Sequence, residues 1–304
     1  MYDIIIIGGG PAGMTAALYA LRSKRSVLVI EKGGFGGQIA YSPKVENYPG
    51  FQSVSGAALA DHMLEQIMKH GAEVELETVT EIRSEGDTKR VITEDGVQYT
   101  ARCVIIATGV KHRMLRLEGE NELVGHGISF CAVCDGDFYT GQTVVVAGGG
   151  NSALQEAMLL SESCKEVIVV QNLDCFTGEE SLSSALLARP NVRAVTGTVI
   201  EQLITKDGEL CGLKLYCEAA NEHSELSCDG LFVAVGLIPQ NDIFADLAEL
   251  DQLGYISSDE RCLTKTAGVF VAGDCRTKQV RQLTTAAADG SVAAIAACKY
   301  LETL

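Results

Sequence analysis

The chain opens with the stretch Asp3-Ile4-Ile5-Ile6-Ile7-Gly8-Gly9-Gly10-Pro11-Ala12-Gly13, which decides the fold of the residues around it. The run of β-branched isoleucines predicts a strand that is buried on both faces of a parallel sheet. The glycine turn allows a tight bend and directs the start of the following helix at a pyrophosphate. A helical pattern from Met14 to Ser23 and a second buried strand, Ser26–Ile30, complete a strand–turn–helix–strand unit.

An acidic residue closes this first unit. Glu31 follows Gly10 by about 20 residues, the separation at which a carboxylate accepts hydrogen bonds from the hydroxyls of a ribose. The motif, its two strands and the acid together predict a dinucleotide site for an unphosphorylated ribose, as in FAD or NAD. The residues assigned to this site are Gly8, Gly10, Pro11, Ala12, Gly13 and Glu31.

The same unit occurs a second time. The apolar run Thr143–Ala147 leads into the turn Gly148–Ala153, a helical pattern follows to about Ser161, and Glu166–Val170 is the next strand. Alanine is an accepted residue at the end of such a turn. Two copies of one nucleotide-binding unit predict an α/β protein with two doubly wound, Rossmann-like domains. The residues assigned to the second turn are Gly148, Gly150, Asn151, Ser152 and Ala153.

Further strands follow in each half of the chain. Two apolar runs that end in glycine, Val104–Gly109 and Gly230–Gly236, come late in the two units. Residues 72–101 and 195–228 alternate between polar and apolar side chains and contain turn signals, so we expect antiparallel strands there.

The second domain is predicted to be inserted in the first. The strand Gly268–Asp274 and the alanine-rich helix Thr284–Leu301 do not belong to the pattern of the second unit, so the chain should return to the first domain before them. We therefore expect a first domain of residues 1–112 and 246–304, and a second domain of residues 113–245.

The second turn lacks residues that would read a 2′-phosphate. The position equivalent to Glu31 is the neutral Gln171, and no arginine occurs between Arg116 and Arg189. A 2′-phosphate is best held by the guanidinium group of an arginine. The sequence therefore does not predict NADPH as the electron donor. If Gln171 reads the ribose, NADH should bind more tightly than NADPH.

The motif Cys131-Ala132-Val133-Cys134 carries the most direct chemistry. Such a pair is a redox dithiol, half of a zinc site, or a structural feature. Zinc needs four ligands, but there is no second pair with this spacing, and the five histidines are scattered. We favour a redox dithiol, because the pair comes just before the second Rossmann unit. No metal site is expected.

Composition excludes several classes of partner. The 304 residues include 24 Lys and Arg and 40 Asp and Glu, a net charge of −16, so the chain lacks the basic clusters that nucleic acid requires. No apolar stretch approaches the ~20 residues of a membrane span. The acidic N-terminus and the scattered cysteines predict a cytoplasmic protein with reduced thiols. We interpret the acidic clusters Glu118–Glu122 and Glu179–Glu180 as solvated faces.

Together these motifs resemble those of the low-molecular-weight thioredoxin reductases over almost the whole chain. Gly36-Gly37-Gln38, Val45-Glu46-Asn47-Tyr48-Pro49-Gly50 and Ala107-Thr108-Gly109 are similar to motifs of that family's FAD domain. Ala272-Gly273-Asp274 and Arg281-Gln282 are similar to its C-terminal FAD signature. The resemblance implies that the first domain binds FAD, and it adds Gly37, Gln38, Asn47, Ala107, Thr108, Gly109, Gly273, Asp274, Arg281 and Gln282 to the site.

The resemblance also implies roles for the dithiol. A reductase of this family would pass two electrons from NADH or NADPH through FAD to Cys131 and Cys134, and then to a thioredoxin-like protein disulfide. Cys134 would react with the flavin and Cys131 would form the mixed disulfide with the substrate. Asp135 would be the proton donor, or would instead cap the following helix. The family further implies a homodimer and a rotation of one domain against the other.

One departure from the family leaves the electron donor open. Its NADPH-dependent members have a His-Arg-Arg run and a further arginine where this chain has Gln171, Asn172, Leu173 and Thr177. Three alternatives therefore remain: a reductase driven by ferredoxin, a dithiol oxidase that uses oxygen, and a non-enzymatic flavin-binding redox sensor. The intact second turn favours a bound nucleotide, and the acidic surface disfavours an acidic ferredoxin.

Overall fold

The computed structural model describes residues 1–42 and 44–304. The chain divides into two compact units, residues 1–111 with 238–304 and residues 112–237, which we call the first unit and the second unit. Each unit contains a sheet with a set of parallel strands, and helices connect several of these strands. The predicted α/β class with two Rossmann-like domains is confirmed.

Both units consist of strands and helices, and each also contains runs of consecutive strands. The strands are β1 (Tyr2–Ile7), β2 (Val27–Glu31), β3 (Glu73–Leu76), β4 (Val79–Glu85), β5 (Thr88–Thr93), β6 (Gln98–Ile106), β7 (Val110–His112), β8 (Ile128–Ser129), β9 (Thr143–Ala147), β10 (Glu166–Val170), β11 (Val192–Val195), β12 (Thr198–Lys206), β13 (Glu209–Cys217), β14 (Glu222–Ser227), β15 (Gly230–Val233), β16 (Leu237–Pro239) and β17 (Val269–Val271). The α-helices are α1 (Pro11–Arg22), α2 (Gly56–Lys69), α3 (Ala132–Asp135), α4 (Asn151–Leu160), α5 (Glu180–Leu187) and α6 (Leu283–Leu301). Short 3-10 turns lie at Gly37–Tyr41, Gly136–Tyr139, Asp242–Phe244 and Gly273–Cys275. None of the helices in the described ranges is long and apolar enough to cross a bilayer.

A seven-stranded sheet forms the centre of the first unit. Its order is β3-β2-β1-β6-β5-β4, and the second half of β6 also pairs with β17. The strands β1, β2, β3, β6 and β17 run parallel. Ile5 in β1 lies opposite Leu28 on one side and Val104 on the other, and all three side chains are fully buried. The isoleucine run therefore occupies the middle of the sheet, as its composition predicts.

Small side chains allow α1 and α6 to pack closely on this sheet. A Cβ atom on Gly290 would lie only 2.2 Å from the carbonyl oxygen of Ala12, so the two helix backbones are nearly in contact. Ala16, Ala293 and Ala297 are fully buried in the same core cluster. The alanine-rich composition of α6 thus follows from close packing, because a larger side chain would find no space.

The second unit has a five-stranded parallel sheet and an antiparallel meander. The parallel sheet has the order β11-β10-β9-β15-β8, and the meander consists of β12, β13 and β14. Val144, Val145 and Val146 in the central strand β9 are fully buried. β8 has only two residues, yet it brings the segment that begins at Phe130 to the carboxyl edge of this sheet.

The chain returns to the first unit earlier than expected. The boundary falls at Ile238 and not at residue 246. The reason is that Phe244 is fully buried in the first unit's core, alongside the residues of β17. The side chain of Asn241 also donates to the carbonyl oxygen of Cys275 at 2.8 Å. Residues 238–245 thus belong to the first unit through packing that their sequence does not reveal.

The antiparallel prediction for residues 72–101 is wrong at its start. β3 pairs parallel with β2, with Val74 opposite Val29, because α2 forms a crossover that returns the chain in the same direction. The strands β4, β5 and β6 are antiparallel to one another as predicted, and so are β12, β13 and β14.

Candidate active site: two dinucleotide turns and a dithiol

The parallel strands of the first unit end at the residues that were predicted to bind FAD. β1 ends before Gly8, β2 ends at Glu31, β6 ends before Ala107–Gly109, and β17 ends before Gly273 and Asp274. These strands run side by side in one direction, so the four segments meet at one edge of the sheet. The crevice outside the carboxyl ends of the strands is where such sheets bind ligands.

The glycine turn after β1 combines a tight contact with an open space. Gly8 has a φ of 111°, and a Cβ there would lie 2.2 Å from the carbonyl oxygen of Ala107. The position therefore requires glycine. At Gly10 the nearest atom to an added Cβ is the Cα of Gly37, at 4.0 Å. Between Gly10 and Gly37 the backbones thus leave room beside the first residues of α1, where a pyrophosphate is expected.

Glu31 organises the loop that follows β2. Its Oε2 accepts the N–H of Gly9 at 2.7 Å, and its Oε1 accepts the N–H of Gly33 at 3.0 Å. A carboxylate has about four positions at which it accepts hydrogen bonds, so both oxygens retain capacity for ribose hydroxyls. The side chain is half-buried at the edge of the sheet, which suits the predicted role.

Asp274 presents an unsatisfied oxygen at the same edge. Its Oδ1 is buried without a hydrogen-bond partner, and the nearest cation, the Nζ of Lys278, is 3.8 Å away. Burial raises the pKa of Asp274, and the charges of Lys278 and Arg281 oppose this rise. A buried oxygen without a donor is costly, and a sugar alcohol would supply the missing O–H. The orphaned oxygen and the open space at Gly10 both fit FAD.

Asp289, which no sequence pattern indicates, holds the segment after β17. Its Oδ2 accepts the N–H of Gly273 at 3.0 Å, and its carboxylate pairs with Arg276 at 2.7 Å and Lys278 at 3.0 Å. Burial opposes ionisation, but these two cations outweigh it and hold the pKa of Asp289 below its usual range. No local signal marks the residue, because it lies inside the alanine-rich pattern of α6.

The C-terminal signature residues adopt defined contacts. The guanidinium carbon of Arg281 lies 4.2 Å from the ring centroid of Tyr255. Gln282 forms a capping box with Thr285 at the start of α6. Asn47 donates through Nδ2 to the Oε1 of Gln282 at 3.4 Å, so two residues that are far apart in sequence meet in the first unit.

Two further predicted residues anchor the region after β6. The side-chain amide of Gln38 donates to the carbonyl oxygen of Val110. The hydroxyl of Thr108 donates to the Oδ1 of Asn241 at 3.3 Å. Both contacts tie the predicted FAD residues to backbone or side chains of the same unit. Whether each residue also contacts FAD stays a prediction.

The dithiol of the second unit is joined as a disulfide. Cys131 and Cys134 are bonded, and Cys131 is the N-cap of α3, with its sulfur accepting the N–H of Cys134 at 3.2 Å. Cys131 is half-buried and Cys134 is exposed. Among the described residues, no group of three or more His, Cys, Asp or Glu could hold a metal ion. The bonded pair is able to undergo thiol–disulfide exchange.

Asp135 lies at the end of the dithiol helix. The hydroxyl of Ser129 donates to its Oδ2 at 2.6 Å, while its Oδ1 is buried without a partner. Burial raises the pKa of Asp135, and the bond from Ser129 opposes this rise. A carboxyl that keeps its proton nearer to neutral pH suits the predicted proton donor. The alternative, a cap for the next turn, is wrong, because the side chain makes no hydrogen bond to that turn.

The second dinucleotide turn lies at the carboxyl end of β9, in the sheet that carries the dithiol. The residues after β10 fold back over it: the N–H groups of Thr177 and Gly178 donate to the carbonyl oxygen of Gly149 at 2.9 and 3.0 Å. The N–H of Glu179 donates to the Oδ1 of Asn151 at 2.7 Å. The turn is therefore covered by a loop that ends in a carboxylate and contains neither lysine nor arginine.

Gln171 is buried beneath this turn. Only 5% of the residue is exposed, and its Nε2 donates to the carbonyl oxygen of Cys175 at 3.4 Å. A Cβ on Gly149 would lie 2.5 Å from that nitrogen, so the amide fills the space next to the turn. The residue lies where the sequence predicts it, and its interaction with a ribose stays a prediction.

One acidic cluster differs from its interpretation as a solvated face. Glu118 and Glu122 are exposed as predicted, but Glu120 is only 2% exposed. Its carboxylate accepts the backbone N–H groups of three successive residues, at 2.8, 2.7 and 3.2 Å. Glu120 therefore closes the loop of residues 115–117 from inside the second unit.

Comparison with known proteins places this geometry in a family. Residues 2–290 match the family model described as "Pyridine nucleotide-disulphide oxidoreductase". The chain belongs to this family. The family implies FAD and NAD(P)H as cofactors and a disulfide as the reacting group, which agrees with the two turns and the dithiol. The chain is thus a FAD-dependent disulfide oxidoreductase.

Individual relatives in the family cover the whole chain. The thioredoxin reductase of Bacillus subtilis (strain 168) is 39% identical over 100% of this chain and 96% of its own length. A protein of Clostridium pasteurianum, described as the 34.2 kDa protein in rubredoxin operon, is 39% identical over 98% of this chain and 97% of its own. The crystal structure of thioredoxin reductase from Streptococcus pyogenes MGAS5005 matches with a TM-score of 0.94, at 39% identity, over 100% of this chain and 99% of that one. The resemblance drawn from the motifs is confirmed.

Proposed function

We propose that this protein is a thioredoxin-disulfide reductase that binds FAD in its first unit and reacts through the dithiol of its second unit. The observation that carries the proposal is the position of Cys131 and Cys134 directly after β8. This strand ends at the same sheet edge as β9, which leads into the second dinucleotide turn. The thioredoxin reductases among the relatives and the solved structures support the same function.

The dithiol reaction requires three groups of the chain: the two thiols of Cys131 and Cys134 and the carboxyl group of Asp135. FAD, when bound, supplies the two-electron chemistry that connects the donor to the disulfide. Two electrons and two protons convert the Cys131–Cys134 disulfide into two thiols. The Cys131 thiolate then attacks one sulfur of the substrate disulfide, whose S–S bond breaks, and Asp135 protonates the leaving thiolate. Attack by Cys134 on Cys131 in the mixed disulfide restores the enzyme disulfide and releases the second substrate thiol.

Serine substitutions test this reaction. Cys131→Ser and Cys134→Ser should each abolish reduction of a thioredoxin disulfide, because a hydroxyl cannot form the disulfide, while absorbance shows that FAD stays bound. Cys134→Ser should in addition retain the substrate as a mixed disulfide on Cys131, detected by mass spectrometry. Cys175→Ser is the matched control, since Cys175 is a free, exposed cysteine of the same unit. Full turnover by Cys131→Ser would rule out the proposal.

For the electron donor, we propose NADH rather than NADPH. The support is the set of residues after β10, where Gln171 is neutral and residues 171–179 offer no cation for a 2′-phosphate. An anaerobic titration of the purified flavoprotein with NADH and NADPH, followed by bleaching of the flavin absorbance, tests this. Rapid bleaching by NADH alone is the expected result. Bleaching by NADPH at equal or lower concentration would contradict the assignment.

A second candidate donor is a small iron–sulfur or rubredoxin-type protein. One support is the relative from Clostridium pasteurianum, which is described by its place in a rubredoxin operon. A second support is the carboxylate of Glu179, whose Oε1 lies 3.3 Å from the Nδ2 of Asn151 at the second turn. A negative charge at this place would repel a pyrophosphate. In the same titration, chemically reduced ferredoxin forms a third arm. Bleaching by ferredoxin, with neither nucleotide reacting, would replace NADH by a protein donor.

We also propose that the enzyme is a homodimer and acts in the cytoplasm. Both proposals follow from the resemblance to the low-molecular-weight thioredoxin reductases and from the scattered cysteines, which suit a reducing compartment. Light scattering coupled to size exclusion, applied to the FAD-loaded protein, should give twice the mass of the 32.3 kDa chain. A monomer at micromolar concentration would contradict the first proposal.

A further inference from the structure

A buried amide joins three segments at the edge of the sheet where FAD is predicted to bind. Asn241 is only 1% exposed. Its Nδ2 donates to the carbonyl oxygens of Gly254 and Cys275, both at 2.8 Å. Its Oδ1 accepts the hydroxyl of Thr108 at 3.3 Å. Both donor hydrogens of the amide are thus used, and its oxygen holds a third segment.

Two of these contacts lie at the carboxyl ends of neighbouring strands. Thr108 follows β6 and Cys275 follows β17. The register of the two strands ends at the pair Ile106 and Val271, so Asn241 links the two segments beyond the end of the ladder. Both segments carry residues that are predicted to bind FAD, since Asp274 directly precedes Cys275.

The residue before Asn241 extends this arrangement to another strand. The Oε1 of Gln240 accepts the Nζ of Lys32, which directly follows β2. Residues 240 and 241 therefore contact the segments after β2, β6 and β17, which are three of the four strand ends assigned to FAD. The Lys32 contact is exposed to solvent, so we expect the buried Asn241 to contribute more.

We propose that Asn241 is a positioning residue for FAD, which sets the separation between Thr108 and Asp274 through its hydrogen bonds. The inference rests on the proposed function, because it takes the first unit as the one that binds FAD. Groups that contact a ligand bind it more tightly when a further set of hydrogen bonds fixes them beforehand, since less conformational freedom is lost on binding. Asn241 has almost no exposed surface, so it acts through these residues and not by direct contact.

A double-mutant cycle tests this role on the purified holoenzyme. The wild type, Asn241→Ala, Thr108→Val and the double variant are diluted, and the fluorescence of released FAD gives the dissociation constant. Asn241→Ala should weaken FAD binding about tenfold, as expected for the loss of a net hydrogen bond. Thr108→Val should weaken it by a smaller factor. In the Asn241→Ala background it should add nothing, because the bond that it removes is already absent.

Thr266→Val is the matched control. The hydroxyl of Thr266 donates to the carbonyl oxygen of Leu247 at 2.7 Å, in the same unit but before β17 rather than after it. Its loss should lower the temperature of thermal unfolding and leave the FAD dissociation constant unchanged. A general loss of stability is thus separated from an effect on the site. Thr108→Ser keeps the hydroxyl and should bind FAD like the wild type.

Two results would overturn the proposal. One is a wild-type FAD dissociation constant in Asn241→Ala. The other is an equal effect of Thr108→Val in both backgrounds, which would mean that Thr108 acts on FAD independently of Asn241.

Failure of the proposed function would be visible separately, in Gly8→Ala. Loss of FAD from Gly8→Ala together with wild-type binding in Asn241→Ala would remove only this inference. Unchanged FAD binding in Gly8→Ala would show that the first unit is not the unit that binds FAD, and both proposals would fail.

A second measurement covers the case in which Asn241→Ala does not fold. Hydrogen exchange of the FAD-loaded enzyme needs only Thr108→Val and Thr108→Ser. Peptides of residues 251–256 should exchange faster in Thr108→Val, because Asn241 joins Thr108 to the carbonyl oxygen of Gly254. Equal exchange rates in the two variants would overturn the proposal.

Discussion

The two dinucleotide turns of this chain have nearly the same backbone and different side chains at the place where a ribose is read. Gly8 and Gly148 both have a positive φ, of 111° and 128°. A Cβ would lie 2.2 Å from the carbonyl oxygen of Ala107 in the first turn and 2.5 Å from that of Ala234 in the second. Both turns therefore bring the chain equally close to the neighbouring strand.

The difference lies one strand further along. In the first unit, the charged Glu31 accepts the N–H of Gly9 at 2.7 Å and remains half-buried. In the second unit, the neutral Gln171 is buried against Gly149 and donates to a carbonyl oxygen at 3.4 Å. The two turns thus share a backbone that suits a pyrophosphate and differ in the side chain after the second strand, which we predict to select the sugar.

The largest effect is expected from Gly8→Ala. The new Cβ would clash with the carbonyl oxygen of Ala107 in a conformation that alanine disfavours, at a cost of about 1–3 kcal/mol. Opening of the turn should abolish FAD loading, measured by flavin absorbance per mole of purified protein.

Gly148→Ala is the matched variant in the second turn. It should keep its FAD and lose flavin bleaching by a nicotinamide nucleotide, because the strain falls in the other unit. FAD loss in both variants, or in neither, would show that the two turns do not serve separate cofactors.

A fall in pH should reduce the stability of the two units over different pH ranges, and this effect should be smaller than that of the glycine substitutions. In the second unit, burial lowers the pKa of His112 to about 4, and its ring stacks on Phe130 with centroids 4.5 Å apart. A folded pKa below the unfolded value of about 6.5 means that the stabilisation is complete above pH 6.5 and is lost as the pH falls through 4. The loss between pH 7 and pH 4 is roughly 3 kcal/mol. In the first unit, the pKa of Asp289 is lowered. Its contribution to the free energy of unfolding is therefore lost only when the pH falls below the range in which carboxyl groups usually titrate.

The measurement is urea unfolding with hydrogen exchange of peptides from residues 112–237. Between pH 7 and pH 4, the wild type should lose roughly 3 kcal/mol more of its free energy of unfolding than His112→Asn loses. The difference between the two proteins isolates His112, since Glu156 in the same unit has a raised pKa and changes stability in the opposite direction. His126→Asn is the control for an exposed histidine. A constant difference between His112→Asn and wild type would contradict the assignment.

The smallest effect should come from substitutions at the predicted ribose site of the second turn. Replacing Gln171, Asn172 and Leu173 by His, Arg and Arg adds guanidinium groups, and one charge-assisted hydrogen bond corresponds to about a tenfold gain in affinity for NADPH. The ratio of NADPH to NADH affinity, from flavin bleaching titrations, should rise accordingly.

Gln171→Glu sharpens the comparison with the first turn. A carboxylate at this position reproduces Glu31 and should strengthen the preference for NADH. An unchanged ratio in both variants would show that residues 171–173 do not read the ribose.

Sequence patterns were sufficient where the chemistry is local. The glycine turns, the buried strands that flank them and the Cys131–Cys134 motif are short segments, each with a backbone requirement or a spacing that few other structures produce. Charged residues that become buried could not be predicted in this way. Glu120 and Asp289 have no local signature, because their burial depends on how the folded chain packs around them.

The amino-acid sequence by itself therefore determined the two Rossmann units, their glycine turns, the dithiol and the neutral residue at position 171, since all of these follow from local periodicity and residue chemistry. Only the tertiary structure decided that the chain returns at Ile238, that β3 runs parallel to β2 and that the two-residue strand β8 brings the dithiol to the edge of a sheet. It also decided which carboxyl groups are buried beside the site. The physical reason is that burial and strand pairing depend on contacts between distant segments, which the chain forms only when it is folded.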